Sequence, residues 1–131
     1  MVQYADGRPI GDLTLRTLAM PSDANAAGDI FGGWVMSQMD IAGAIAAVER
    51  ARGRVATVAV EAMTFIAPVK VGDILCVYTS IDRVGTTSIT VALEAWVRRN
   101  RLDDRVKVTS ARFVYVALGE DGRKRAIPPL A

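Results

Sequence analysis

The chain contains no histidine. That absence excludes Ser-His-Asp and Cys-His triads, the imidazole general base, and every metal site built on imidazole. Cysteine is almost as scarce. Cys76 is the only one, so no intrachain disulfide can form, and a cysteine cage for zinc or an iron–sulfur cluster is argued against. Cys76 lies in the alternating apolar run Ile74–Tyr78 and reads as a small buried hydrophobe. Aromatic residues make up 6% of the chain, and the net charge is only +2; both are too low to argue for nucleic-acid binding. No stretch approaches the ~18 uninterrupted apolar residues of a membrane span. The most apolar segment, 34–48, is interrupted by Ser37, Gln38 and Asp40. The N-terminus has no basic region followed by an apolar run, so it does not read as a signal peptide. The expectation is a cytoplasmic protein whose chemistry comes from carboxylates, amides, hydroxyls and backbone N–H groups.

Hydrophobic residues make up 51% of 131, enough to bury the core of one domain, expected over 8–128. Residues 12–20 alternate apolar and polar and predict a strand, ended by Pro21, Ser22 and Asp23. From Gly33 to about Arg50, Met36, Met39, Gly43 and Ala47 recur at helical spacing. Four alanines and Gly43 between 42 and 47 make this helix thin. The glycine lowers helix propensity, so it calls for a packing reason. Gly53 suits the helix stop. The period then changes to two. Val58, Val60, Ala62, Thr64 and Ile66 share one face of a strand, and further strands are expected at 74–83, 89–98 and 105–118. A polar turn at 100–104 joins the last two. The order is one strand, one long helix, then four strands, which predicts an α+β fold with an antiparallel sheet curled round the helix. Strands of 10–14 residues invite pairing across a subunit boundary.

Three places invite chemistry. Asp40 puts a carboxylate on the apolar stripe of a helix, where it is costly to bury and a poor helix former. It reads either as functional or as a boundary residue paired to an arginine. Gly32 and Gly33 precede the helix, whose first N–H groups lack internal partners and carry the positive dipole end. They read as an oxyanion or phosphate seat, or as a simple turn. Asn25, in the loop before Gly28 and Asp29, reads as a turn former or as a group that polarises a carbonyl or places a water. Arginines gather late in the chain: Arg98, Arg99, Arg101, Arg105, Arg112, Arg123 and Arg125, with Lys124. They read as a solvated face or as a site for an anionic cofactor such as CoA.

Residues 16–43, and above all the block from Asn25 through Gly28-Asp29-Ile30-Phe31-Gly32-Gly33-Trp34 to Met39-Asp40, closely resemble the YciA-like branch of the hotdog acyl-CoA thioesterases. The likeness continues through 54–65, 68–73, 85–88 and 94–97 and covers roughly 12–128. It implies the hotdog fold, about five antiparallel strands wrapped round one long central helix. It implies hydrolysis of acyl-CoA to a free acid and CoA, with CoA as part of the substrate and no cofactor. It implies a homodimer joined edge to edge, assembled further into a homohexamer (a trimer of dimers), with the active site between two subunits. Asp40 matches the family's catalytic aspartate, as general base or nucleophile. Asn25 matches an asparagine of related enzymes, and Gly32 and Gly33 match the N–H groups that polarise the thioester carbonyl. Where family members often read Asn-Ala-Asn-Gly-Asp, this chain has Ala27 in place of the second asparagine. Strand residues Thr57, Val58, Ala59 and Met63 are expected to line the acyl-pantetheine tunnel, and Thr87, Ser88, Arg98 and Arg99 to contact CoA. No metal, nucleic acid or membrane partner is expected. The competing readings are a non-catalytic acyl-CoA-binding sensor of the same fold, a hotdog dehydratase, which needs the histidine this chain lacks, and a nucleic-acid-binding module.

Overall fold

A computed structural model of the chain describes residues 3–4, 7–99 and 104–130. Its elements in chain order are β1 (Gln3–Tyr4), β2 (Asp12–Leu18), a single 3-10 turn (Pro21–Asp23), α1 (Gly32–Ala51), β3 (Val55–Phe65), β4 (Ile74–Val84), β5 (Ser88–Arg99) and β6 (Asp104–Ala117). The expected strand, helix and four strands are all present. The short β1, which lies parallel to the start of β6, was not foreseen. Of the polar turn expected at 100–104, residues 100–103 lie outside the described residues.

The sheet runs β2-β4-β5-β6, with β3 on the far side of β6, and every pair among these five strands is antiparallel. Tight turns force this between β4 and β5. The helix packs across one face. Val35, Met39, Ala42, Ala47 and Ala51 meet Leu75 and Val77 of β4, the alternating Ile89, Val91, Leu93, Ala95 and Val97 of β5, and Val108, Phe113 and Tyr115 of β6 in one core. The buried stripe therefore starts at Val35; Met36, expected on it, is exposed. Cys76 is buried and unpaired.

The face of β3 that groups Val58, Val60, Ala62, Thr64 and Ile66 is exposed. Register shifts between Thr57 and Ala59 and between Glu61 and Thr64 bend this strand. Ala62 takes the left-handed conformation, at φ 54°.

The helix stop differs from expectation. The left-handed cap residue is Arg52, at φ 56°, whose N–H donates to the Val48 carbonyl. Gly53 instead makes room for Arg125: a Cβ there would sit 2.6 Å from its guanidinium, which donates to the Ala51 carbonyl at 2.8 Å. That bond satisfies one of the orphan carbonyls at the helix end.

Candidate active site

Asp40 lies mid-helix, half-buried, where α1 crosses β3 and β6. Its Oδ1 accepts a hydrogen bond from the Thr57 hydroxyl at 2.7 Å and from the Tyr115 hydroxyl at 2.9 Å. Thr57 and Tyr115 are partners in register across β3 and β6, which is why both hydroxyls arrive at one point under the helix. Tyr115 also reaches the Asp40 main-chain carbonyl at 3.0 Å. Among the described residues, no hydrogen bond reaches Oδ2. No arginine pairs with Asp40 among them either, so the boundary-pair reading does not describe its surroundings.

Gly43, one turn on from Asp40, has the packing reason its presence demanded. A Cβ there would lie 2.9 Å from Cζ of Tyr115 and closer still to its hydroxyl oxygen. The glycine, which costs roughly 0.5–1 kcal/mol of helix propensity, is the space through which the phenol reaches the carboxylate. Burial first, then the negative charge of Asp40 and the hydrogen bond to it, hold the Tyr115 phenol well above its ordinary value; the neighbouring Thr57 hydroxyl works the other way. Tyr115 was not singled out from the sequence. The available signal was Gly43, a helix glycine three residues from a stranded carboxylate.

The helix ladder begins with the N–H groups of Trp34 and Val35, both on the Phe31 carbonyl. The N–H groups of Gly32 and Gly33 therefore lie outside it, at the positive end of the dipole. A Cβ at Gly33 would meet nothing within 4 Å, and one at Gly32 would touch the Phe65 ring at 3.4 Å. Beside them is an apolar cavity of about 370 Å3 bounded by Ile30, Val35, Phe65, Ala67, Pro68 and Val108. A larger space of about 690 Å3, between β2, β4 and the C-terminal half of α1, contains neither Asp40 nor the two glycines.

Asn25 builds the loop that delivers the chain to the helix. Its side-chain oxygen accepts from the N–H groups of Ala27 and Asp29 at 2.9 and 3.1 Å. This turn closes with alanine at position 27. Lys70 pairs with Asp29 and ties the loop to the segment before β4.

The other expected contacts do not converge within one protomer. Thr57 is at the carboxylate. Val58 is exposed, Ala59 half-buried, and Met63 packs against the core. Thr87 and Ser88 lie near Tyr115, with Ser88 in register with Val116 and the Thr87 carbonyl accepting from Ala117. Arg98 and Arg99 stand at the other end of β5, roughly 35 Å away at ~3.3 Å per strand residue. Arg99 is committed to structure. It donates twice to Oδ2 of the buried Asp73, at 3.2 and 2.9 Å, and once to the Pro68 carbonyl at 2.9 Å. The Asp73 hydrogen bond holds its guanidinium firmly protonated, burial opposes this, and the Asp73 charge adds to it. The late arginines form no single patch: Arg112 pairs with Asp82 and Arg125 caps the helix, while Arg101 lies outside the described residues.

Comparison with known proteins agrees with this fold. The family description of the thioesterase superfamily matches residues 27–103. The acyl-CoA thioester hydrolase YciA of Salmonella typhimurium is 56% identical over 126 residues, covering 94% of this chain and 95% of that one. The structure of HI0827, a hexameric broad specificity acyl-coenzyme A thioesterase, superposes with a TM-score of 0.89 at 53% identity, over 95% of this chain and 87% of that chain. The acyl-CoA hydrolase of Staphylococcus aureus, solved with butyryl coenzyme A and with coenzyme A, superposes with a TM-score of 0.82 at 26% identity, over 89% and 71%. It has also been solved as an aspartate-to-alanine and as a threonine-to-alanine mutant. With this sheet, this helix and these likenesses over nearly its whole length, the chain belongs to the thioesterase superfamily, in the YciA-like family of hotdog acyl-CoA thioesterases.

Proposed function

We propose that residues 8–128 form one catalytic domain that hydrolyses the thioester of acyl-CoA to a carboxylic acid and CoA. Asp40 is its general base. The observation that carries the reading is the carboxylate of Asp40, fixed through one oxygen by two hydroxyls and with the other oxygen open. The same chemistry is attached to YciA by name at 56% identity. In the Staphylococcus aureus hydrolase, the mutated aspartate and threonine stand as far apart in sequence as Asp40 and Thr57 do here.

In the proposed reaction, Oδ2 of Asp40 takes a proton from a water whose oxygen attacks the thioester carbonyl carbon. The oxyanion is held by the N–H groups of Gly32 and Gly33. The C–S bond breaks and the proton passes to the departing CoA thiolate. No cofactor enters, since CoA arrives as part of the substrate. Asn25 keeps the loop before the helix in shape and presents its NH2 group toward substrate. The apolar cavity beside Gly32 takes the acyl chain, and Thr87, Ser88 and Arg98 are assigned to the CoA portion.

Gly33 and Asp40 of one chain are seven residues apart, about 10 Å along the helix axis at 1.5 Å per residue. A single carbonyl cannot be bound by one and attacked beside the other. The site is therefore assigned to two subunits, Asp40 from one and the glycine N–H groups from its partner. The unpaired edge of β3 is the surface for this pairing, as Val58 is 57% and Val60 41% exposed there. HI0827 is hexameric, and we assign this chain a hexamer as well, built as a trimer of dimers. No described helix is long and apolar enough to cross a membrane. A place in the cytoplasm is part of this proposal.

The test is thiol release from a panel of acyl-CoAs of increasing chain length, with acid and CoA measured together. Equimolar acid and CoA on at least one chain length is expected. Binding of acyl-CoA without turnover on any of them makes the protein a sensor instead.

A further inference from the structure

The reaction above takes the hydroxyl of Tyr115 as part of the geometry at Asp40 and routes no step through it. Its side chain is fully buried, 0% exposed, yet its hydroxyl stands 2.9 Å from Oδ1 and 3.0 Å from the main-chain oxygen of the same aspartate. The helix gives up a side chain at position 43 to let it in. That side chain would meet ring carbons of residue 115 at 2.9 and 3.1 Å as well as the hydroxyl oxygen, so the glycine admits the whole ring, and phenylalanine would need the same space. What tyrosine adds there is the hydroxyl, with its two contacts to Asp40.

We propose that Tyr115 is a positioning residue for Asp40: with Thr57 it immobilises Oδ1, and so leaves Oδ2 as the oxygen that takes the proton from water. The proposal rests on the reading of Asp40 as the base. Two donors from adjacent strands converge on one oxygen, and hydrogen bonds to an ionised acceptor are the short, strong kind. The second contact, to the main-chain carbonyl of Asp40, ties the phenol to the helix itself. The aspartate side chain is thereby referred to its own backbone and cannot rotate away while the hydroxyl is in place. Burial and the neighbouring negative charge keep the phenol protonated. Tyr115 therefore remains a donor throughout the cycle; it neither gives up nor receives the proton that travels from water to Oδ2 to the thiolate.

Four proteins test this: wild type, Tyr115→Phe, Asp40→Asn, and the double variant, each assayed for kcat, KM and thermal midpoint. Tyr115→Phe is expected to lower kcat by roughly 10-fold to 100-fold, the range for losing a hydrogen bond to a charged group. KM stays unchanged. In the Asp40→Asn background the same substitution has no further effect on kcat, because the anchored base is already gone. A Tyr115→Phe enzyme with wild-type kcat and only a lowered thermal midpoint overturns the proposal, and so does an equal fractional loss in both backgrounds. An Asp40→Asn enzyme with near wild-type kcat sinks the base reading instead, and is told apart by that variant alone. Phenylalanine fills the same ring volume, so the fold is expected to hold. If it does not, Gly43→Ala carries the test, because its methyl overlaps the hydroxyl and the ring edge and forces the Tyr115 side chain away from Asp40, while both residues stay in the chain. The same fall in kcat at unchanged KM is expected there, and unchanged kcat overturns the proposal.

Discussion

Two hydroxyls and one missing methyl set the character of Asp40. Thr57 and Tyr115 supply the donors, and Gly43 supplies the space. A carboxylate so held is fixed in direction before substrate arrives, and this removes an entropic cost from the chemical step. The state of the phenol can be tested directly. The chain has three tyrosines, and Tyr115 is held above its ordinary 10.0 by burial and by Asp40. A raised value means that the proton is kept as pH climbs through the usual range. Ultraviolet titration of the native protein above that value should therefore leave Tyr115 uncounted, and unfolding should add it. Tyr115→Phe should leave the native count unchanged, because the residue removed is the silent one. A native count that drops by one in the variant would show that Tyr115 ionises with the others.

At the scale of elements, the start of α1 brings its free N–H groups and an apolar cavity together. Phe65, Ala67, Pro68 and Val69 come from the end of β3 and the segment after it, and Val35 and Val108 close the bottom. If this cavity of about 370 Å3 takes the acyl chain, Ala67→Trp shortens it. The variant is then expected to keep activity on the shortest acyl-CoAs and lose it progressively on longer ones, read as kcat/KM against chain length. A uniform loss at all lengths would place the acyl chain elsewhere. These elements were legible in the sequence because their periods are clean. The alternation Ile89-Val91-Leu93-Ala95-Val97 is the buried face of β5, and the thin helix is buried along Val35, Met39, Gly43 and Ala47. Asp40 stood out because it sets a carboxylate beside that stripe, three residues before Gly43. Tyr115 did not, because it meets Asp40 from 75 residues away through a strand register that local periodicity does not encode. For the same reason Arg99 read as a free cation, although it is bound to Asp73. Arg52 was passed over as the helix cap because left-handed backbone favours glycine, and Gly53 stood next to it.

At the scale of the whole molecule, a site divided between subunits has a signature that a site within one chain lacks. Gly32→Pro removes an N–H group at the first helical position, where proline fits because the residue before it, Phe31, is extended. Asp40→Ala removes the carboxylate. Each homo-oligomer should be inactive. Co-expressed, the two should regain activity, because a mixed dimer has one site with Asp40 from the proline-bearing chain and the intact glycine N–H groups from its partner. No recovery in demonstrably mixed dimers would place both groups in the same chain's site.

The most direct test of the central claim is the kcat of Asp40→Asn on the best acyl-CoA, measured by thiol release from a purified variant whose oligomeric state and thermal midpoint match wild type. Asparagine keeps the size of the side chain and an oxygen for Thr57 and Tyr115 to bond, and removes the charge and the basicity. The expected result is a kcat lower by about three orders of magnitude, in the range where a base contributes ~10²–10⁴-fold, with KM little changed. A variant that turns over at a rate near wild type would contradict the account, and the chemistry would then have to be sought away from Asp40.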